Sequence, residues 1–368
     1  MTSELFIITP EISPGRGGLA DHTAALLRQW HLTRPVTLVT AEPQRLAGSP
    51  WNVRQLGSDY RGILDQLPIA NGTLFVQYSA YGFDRLGYPR DLLRALVDWR
   101  KCGAGRLVVM FHEIWTIWPI TNKNFAVQFL HRRGLKRLLN VCDAVFTTTA
   151  SQAEHLNNLC PAASVQVLPV GSNIARVDAG QIPRERGCAA LFGLLPTRVR
   201  ALEVMQRSLA MLAEAGRLSK IVTVGQGTDM AAQAEERGLL QNLNLSGGFL
   251  QHGPQSEQSC SEILSSASFG IFGQNELSCT KSGSFMACAA HELRIIARFA
   301  DSAKPPPACW LVSPDELLGD IGDDELDRRA QCLCIWQKEN SSWVVIARQI
   351  GQALRIGTLI EAEQAITR

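Results

Sequence analysis

Apolar and polar positions along the chain fall into two alternating patterns. Short continuous apolar runs occur at residues 5–9, 36–40, 74–78, 107–111, 144–148 and 165–169. Between them, residues 18–30, 90–100, 125–140 and 151–158 repeat their apolar positions at helical spacing. A strand that is apolar on both faces must be covered on both, so the alternation predicts a parallel sheet between two layers of helix. Ser151, with Glu154 three residues on, is the predicted cap of the last of these helices. The same alternation restarts after residue 172, with strands predicted at 189–193, 220–225, 243–246, 269–272, 294–297 and 309–312. Leu202, Met205, Leu209 and Leu212 give the helix predicted at 198–215 a core-facing stripe. The expectation is α/β: two doubly wound domains in tandem, 1–172 and 173–350, with a ligand cleft at the carboxyl ends of the strands. Residues 343–356 and 357–366 read as two closing helices, and the segment 351–368 is expected to cross back to the first domain.

Composition narrows the class. A chain of 368 residues exceeds what one core usually supports, which agrees with two domains. Its 36 Lys and Arg balance 34 Asp and Glu to a formal charge of +2, which argues against nucleic-acid binding through bulk charge. One local cluster stands out: Arg132, Arg133, Lys136 and Arg137 share a segment with Phe125, Phe129 and Leu130. It reads as a solvated helix face, with peripheral contact to an anionic membrane or an acceptor as the competing reading. No run approaches 18 apolar residues and the first residues lack a basic-then-apolar leader pattern, so the expected location is the cytoplasm. The ten cysteines are irregularly spaced and read as buried thiols, Cys142, Cys288 and Cys309 among them. Cys332-Leu333-Cys334 has no matching second half, so no metal site is expected.

Candidate chemistry gathers where strands give way to helices. Gly15-Arg16-Gly17-Gly18-Leu19-Ala20-Asp21 links the first strand to a helix, where glycines let backbone approach a phosphate or sugar. The spacing is not that of a dinucleotide fingerprint, which sets NAD aside. His112 and Glu113 end the fourth strand and are expected to point into the cleft. In the second half, Arg198 and Arg200 open a helix whose dipole they oppose, a mismatch that an anion would resolve. Gly225 supplies a further turn after a strand, and Glu276 precedes Lys281-Ser282-Gly283-Ser284 at the head of an apolar helix ending at His291. That last loop reads as an ordinary cap or as a phosphate cradle, in which the N–H groups of Gly283, Ser284 and Phe285 join Lys281.

These segments, with Thr147-Thr148-Thr149-Ala150-Ser151, Leu168-Pro169-Val170-Gly171-Ser172-Asn173-Ile174 and Ser246-Gly247-Gly248-Phe249-Leu250, resemble the GT-B glycosyltransferases of the retaining, nucleotide-sugar-dependent group over nearly the whole chain. The resemblance implies an acceptor-binding first domain and a donor-binding second domain, transfer with retention, and no metal or other cofactor beyond the nucleoside diphosphate sugar as co-substrate. By the same resemblance, Gly17 and Gly18 approach the donor diphosphate, Asp21 faces the acceptor and His112 contacts the donor sugar, with Glu113 beside it. Arg198 or Arg200, Lys281, Ser282, Gly283 and Ser284 meet the diphosphate. The chain departs from that pattern at three places. Ser284 stands where a second glutamate, eight positions after the first, commonly holds ribose. Leu194 and Val199 stand where two basic residues are common. Arg294 breaks the usual end of the Ala-rich helix. Tyr78, Tyr81, Tyr88, Trp115 and Trp118 suggest an aromatic acceptor pocket or, equally, core packing. A catalytically degenerate nucleotide binder, and an epimerase or pseudo-glycosyltransferase on the same fold, are the competing functions.

Overall fold

A computed structural model describes residues 4–12, 17–30, 35–40, 51–55, 63, 67, 72–103, 105–115, 121–122, 125–177 and 182–356. The chain forms two compact units, Met1–Pro169 together with Trp343–Arg368, and Val170–Ser342. The return to the first unit thus begins at Trp343, ahead of the expected residue 351. The predicted helix at 357–366 lies outside the described residues.

Unit 1 runs β1 (Leu5–Ile8), α1 (Gly18–Trp30), β2 (Val36–Thr40), β3 (Asn52–Gln55), β4 (Thr73–Ser79), α2 (Ala80–Phe83), α3 (Arg90–Cys102), β5 (Arg106–Glu113), α4 (Phe125–Leu139), β6 (Ala144–Thr147), α5 (Ala150–Leu159) and β7 (Gln166–Val167). All seven strands pair in parallel in the order β3-β2-β1-β4-β5-β6-β7. Strand alternation divides the core in two. Leu5, Ile7, Leu38, Phe75, Val108 and Met110 face one side, with Trp30 of α1, while Phe6, Ile8, Val76, Val109 and Phe111 face the other, with α3 and α4 residues. The first of these layers is completed by α12 (Trp343–Leu354), whose Ile346, Ala347, Ile350 and Leu354 are buried in it. There the Trp30 indole donates 2.8 Å to the Ala347 carbonyl.

Unit 2 runs β8 (Glu185–Phe192), α6 (Leu195–Glu214), β9 (Lys220–Val224), α7 (Met230–Gln241), β10 (Phe249–Gln251), α8 (Glu257–Ser266), β11 (Ala267–Phe272), α9 (Gly283–Ala290), β12 (Arg294–Ala297), α10 (Pro314–Leu318) and α11 (Asp323–Ser341). Its parallel order is β10-β9-β8-β11-β12. In each sheet the strand order reverses once, between β1 and β4 and between β8 and β11, and crevices for ligands open beyond the carboxyl ends of such pairs.

Four local expectations need correction. The strand placed at 243–246 is a turn: Leu243 closes the end of α7, Asn244 takes a φ of 51°, and the strand comes later as β10. Residues 308–310 form a short 3-10 helix, from which only Val312 bridges to Ile296. The predicted Ser151 cap is Thr149, whose hydroxyl accepts the Gln152 N–H at 3.2 Å. Cys142 and Cys309 are half-buried, unlike Cys288.

Candidate functional site

In unit 2 the loops after β8 and β9 interlock. Gly193 N–H donates to the Val224 carbonyl at 3.1 Å, and Leu195 N–H to the Gln226 carbonyl at 2.8 Å. Gly225 has a φ of 134°, and a Cβ there would collide with the Gly193 carbonyl, so the expected glycine is fixed by backbone crowding. Beside this crossing lies the head of α9. Ser282 caps it by accepting the Phe285 N–H at 3.2 Å, which removes Phe285 from the N–H groups expected at a phosphate. The N–H groups of Gly283 and Ser284 remain without protein partners among the described residues. The Ser284 hydroxyl sits next to Gly193, where a Cβ would meet it at 3.3 Å, and is 3.4 Å from the Ser282 hydroxyl. Lys281 is exposed, with no partner among the described residues. Asn173 packs over the start of the helix, 3.3 Å from where a Gly283 Cβ would stand.

The two arginines do different work from that expected of them. Arg198 is only 2% exposed, and its guanidinium is fully engaged. It bonds Glu236 at 2.7 and 3.3 Å and donates to the Gly193 carbonyl at 2.6 Å. The charge that opposes the α6 dipole is therefore answered by a buried carboxylate, and Arg198 braces the loop instead of projecting from it. Arg200, about 200° further round the helix, is exposed and pairs with Glu203 at 3.0 Å. Glu276 forms a half-exposed pair with Lys304 at 2.7 Å.

In unit 1 the first loop has its own constraint. A Cβ on Gly17 would run into the Glu11 carboxylate, whose Oε1 accepts the Ala20 N–H at 3.4 Å within the first turn of α1. Gly18 faces open space, and Asp21 lies half-buried one turn into the helix. Gly15 and Arg16 lie outside the described residues. At the end of β5, Glu113 is exposed and accepts the Ser79 hydroxyl at 2.7 Å, while His112 is buried against Gln77. The threonine run has a structural part in holding this strand end. Gln152 donates to the His112 carbonyl at 3.2 Å and accepts from Thr147 at 2.6 Å and Thr148 at 3.2 Å. Burial pushes the His112 imidazole down to about 4, so it is neutral at pH 7.

The aromatic group separates into two kinds. Tyr78 is core: its phenol is fully buried, 2.6 Å from His131 Nε2, and burial raises it well above the usual tyrosine range. Tyr88 and Trp115 are half-buried, Tyr81 is exposed, and the Arg132 guanidinium lies 5.6 Å from the Trp115 ring centre. Trp118 lies outside the described residues. On α4, Phe129 and Leu130 are exposed beside Arg132, Arg133, Lys136 and Arg137. Among the described residues no helix is long and apolar enough to cross a membrane, and no group of His, Cys, Asp and Glu could hold a metal ion.

No sequence family and no curated protein matches the chain. Solved structures do. A glycosyltransferase from Rickettsia africae superposes with a TM-score of 0.65 at 11% identity, covering 96% of this chain and 98% of its own. Anabaena HepE in complex with UDP gives 0.62 at 12%, covering 96% and 100%. Sucrose-phosphate synthase from Thermosynechococcus elongatus gives 0.61 at 15%, covering 96% and 98%. The fold is GT-B. On the GT-B frame of unit 2, Gly225, Ser282, Gly283 and Ser284 gather at one group of strand ends, whereas Arg198 is withdrawn beneath them and Arg200 faces away. Sequence reasoning missed Glu236, Gln77, His22 and Glu11. Two of these carried a usable signal: Gln77 interrupts a strand that is apolar on both faces, and His22 sits on the apolar stripe of α1.

Proposed function

We propose that the protein is a retaining glycosyltransferase that moves a sugar from a nucleoside diphosphate sugar to an acceptor hydroxyl or amine. The observation that carries this reading is the head of α9 on a GT-B frame. There two N–H groups without partners among the described residues and two serine hydroxyls gather beside the Gly193 loop, with the exposed Lys281 next to them in the chain. Loss of the leaving group puts negative charge on the diphosphate, and prearranged donors of this kind stabilise charge where it develops. Lys281, Ser284 and the Gly283 and Ser284 N–H groups are the diphosphate ligands in this proposal, with Arg198 holding the loop from below. Glu276 is assigned to the nucleoside and Arg200 to the outer surface. His112 is assigned to the donor sugar, Asp21 and Glu113 to the acceptor side, and Gly17 and Gly18 to close backbone approach. UDP is the first nucleotide to try, because the HepE structure is a complex with it. The basic and apolar face of α4 would suit an acceptor held at an anionic surface.

The test is calorimetric titration with UDP and GDP, followed by release of nucleoside diphosphate from a panel of activated sugars. Lys281→Ala combined with Ser284→Ala is expected to weaken nucleotide binding by at least tenfold, and unchanged affinity would return the loop to a plain helix cap. A second reading, a nucleotide binder without turnover, is favoured by Ser284 in place of the usual second glutamate and by the engagement of Arg198 with Glu236. Tight UDP or GDP binding with no release across the panel would select it.

A further inference from the structure

Three polar side chains from three elements of unit 1 meet inside otherwise apolar packing: His22 of α1, Gln77 of β4 and His112 of β5. Gln77 Nε2 lies 3.0 Å from His22 Nδ1, and Gln77 Oε1 lies 2.6 Å from His112 Nε2. The two imidazoles meet edge to face with centroids 4.8 Å apart, and the Trp343 ring packs edge-on to His22 at 5.1 Å. An amide NH2 only donates and an amide oxygen only accepts. His22 Nδ1 must then be bare, and His112 Nε2 must carry a proton. Burial depresses the protonation of both rings, and for His22 the neighbouring His112 adds to the effect. A neutral ring has one N–H and one lone pair, so His22 carries its proton on Nε2 and His112 keeps its lone pair on Nδ1.

The two ends of this chain of bonds differ. His22 Nε2 is enclosed and has no hydrogen-bond partner among the described residues, a destabilising arrangement that a leucine would avoid. What the histidine supplies in return is the Nδ1 acceptor. Without it the Gln77 amide could turn over and offer its NH2 to His112. His112 Nδ1, by contrast, has no partner among the described residues and is not enclosed, on a residue that is 8% exposed.

We propose that His22 and Gln77 are positioning residues that hold His112 in its Nε2–H form, so that the bare Nδ1 accepts a hydrogen bond from a hydroxyl of the sugar being transferred. The identity of that hydroxyl rests on the transferase reading; the tautomer does not. A lone pair at this point attracts an O–H and repels a carboxylate or phosphate, so the sugar presented to His112 is neutral on that side. The amide between the rings passes no proton, so His112 relays none to His22 and acts through its own Nδ1 alone.

The experiment is two-bond 1H–15N correlation on histidine-labelled protein at pH 7, with signals assigned by their loss in His22→Phe and His112→Phe. Both rings are expected neutral with Nε2 protonated. In Gln77→Glu an ionised carboxylate only accepts, so His22 must then move its proton to Nδ1 or become charged, while His112 keeps Nε2–H. Adding UDP-glucose should shift the His112 Nδ1 resonance upfield, and UDP alone should not. A wild-type His22 or His112 protonated on Nδ1, or charged, overturns the proposal even if Gln77→Glu does not fold. So does a Gln77→Glu protein whose new carboxylate is ionised and whose His22 is unchanged. A His112 resonance unmoved by bound UDP-glucose overturns the hydroxyl contact. Failure of every activated sugar in the panel to bind counts against the transferase reading and leaves the tautomer result standing.

Discussion

Removing the Arg198 guanidinium would leave the Glu236 carboxylate buried, with Gln251 Nε2 at 2.9 Å as its remaining side-chain donor. Breaking a buried pair from one side costs about 3–5 kcal/mol, so Arg198→Ala should lower the denaturant midpoint sharply. The exposed Arg200 pair is worth under about 1 kcal/mol, so Arg200→Ala should hardly move it. Equal midpoints for the two variants would contradict the bracing role. The contrast also marks how far single residues can be read from sequence. Gly225 shows as a turn after a strand, although what fixes it is the Gly193 carbonyl, and Ser282 at a helix cap follows from local backbone geometry. The partner of Arg198 does not, because Glu236 lies 38 positions away on the amphipathic α7, where a glutamate looks solvated. His22 and Gln77 each showed as a polar residue in an apolar stretch, but their partners come from other elements and were not legible.

At the level of elements, α12 is the clearest case of local and tertiary signals agreeing. Its apolar positions recur at helical spacing, and Ile346, Ala347, Ile350 and Leu354 are buried where that spacing puts them. Ile350→Ala should destabilise unit 1 by about 2–5 kcal/mol through lost burial and a residual cavity. A thermal melt with an unchanged midpoint would show that α12 is dispensable to the core. The buried strands were legible for the same reason, since β1, β2, β4 and β5 are apolar on both faces. β3 was not, because Asn52-Val53-Arg54-Gln55 lies on the sheet edge and has no apolar run to show. The apolar pair Leu243 and Leu245 misled in the opposite sense: their alternation imitates a strand, but the first closes a helix and the chain then turns through Asn244 and Gly248.

For the whole molecule, acid should be the weak side of stability. Burial lowers the protonation of His22 and brings His112 and His131 to about 4, against an ordinary 6.5. Neutral in the fold, they take up protons on unfolding, so their contribution is complete above about pH 6.5 and is lost as pH falls towards 4. His112 alone accounts for about 3 kcal/mol over that interval. Glu316 and Glu325, held low by Ser313, Arg328 and Arg329, add to the loss only below the ordinary carboxylate range. Urea unfolding across pH 4–8 should show stability rising with pH and levelling near 7, and a flat profile would refute the buried neutral histidines. The bond from Trp30 to the Ala347 carbonyl joins residues 317 positions apart and imposes an order on biosynthesis. A ribosome that has finished the first 169 residues must make all of unit 2 before α12 emerges, roughly ten to thirty-five seconds at ~5–20 residues per second. For that interval the nascent first unit carries an uncovered slot over Leu26, Trp30 and Phe75, a standing target for chaperones that hold apolar chains.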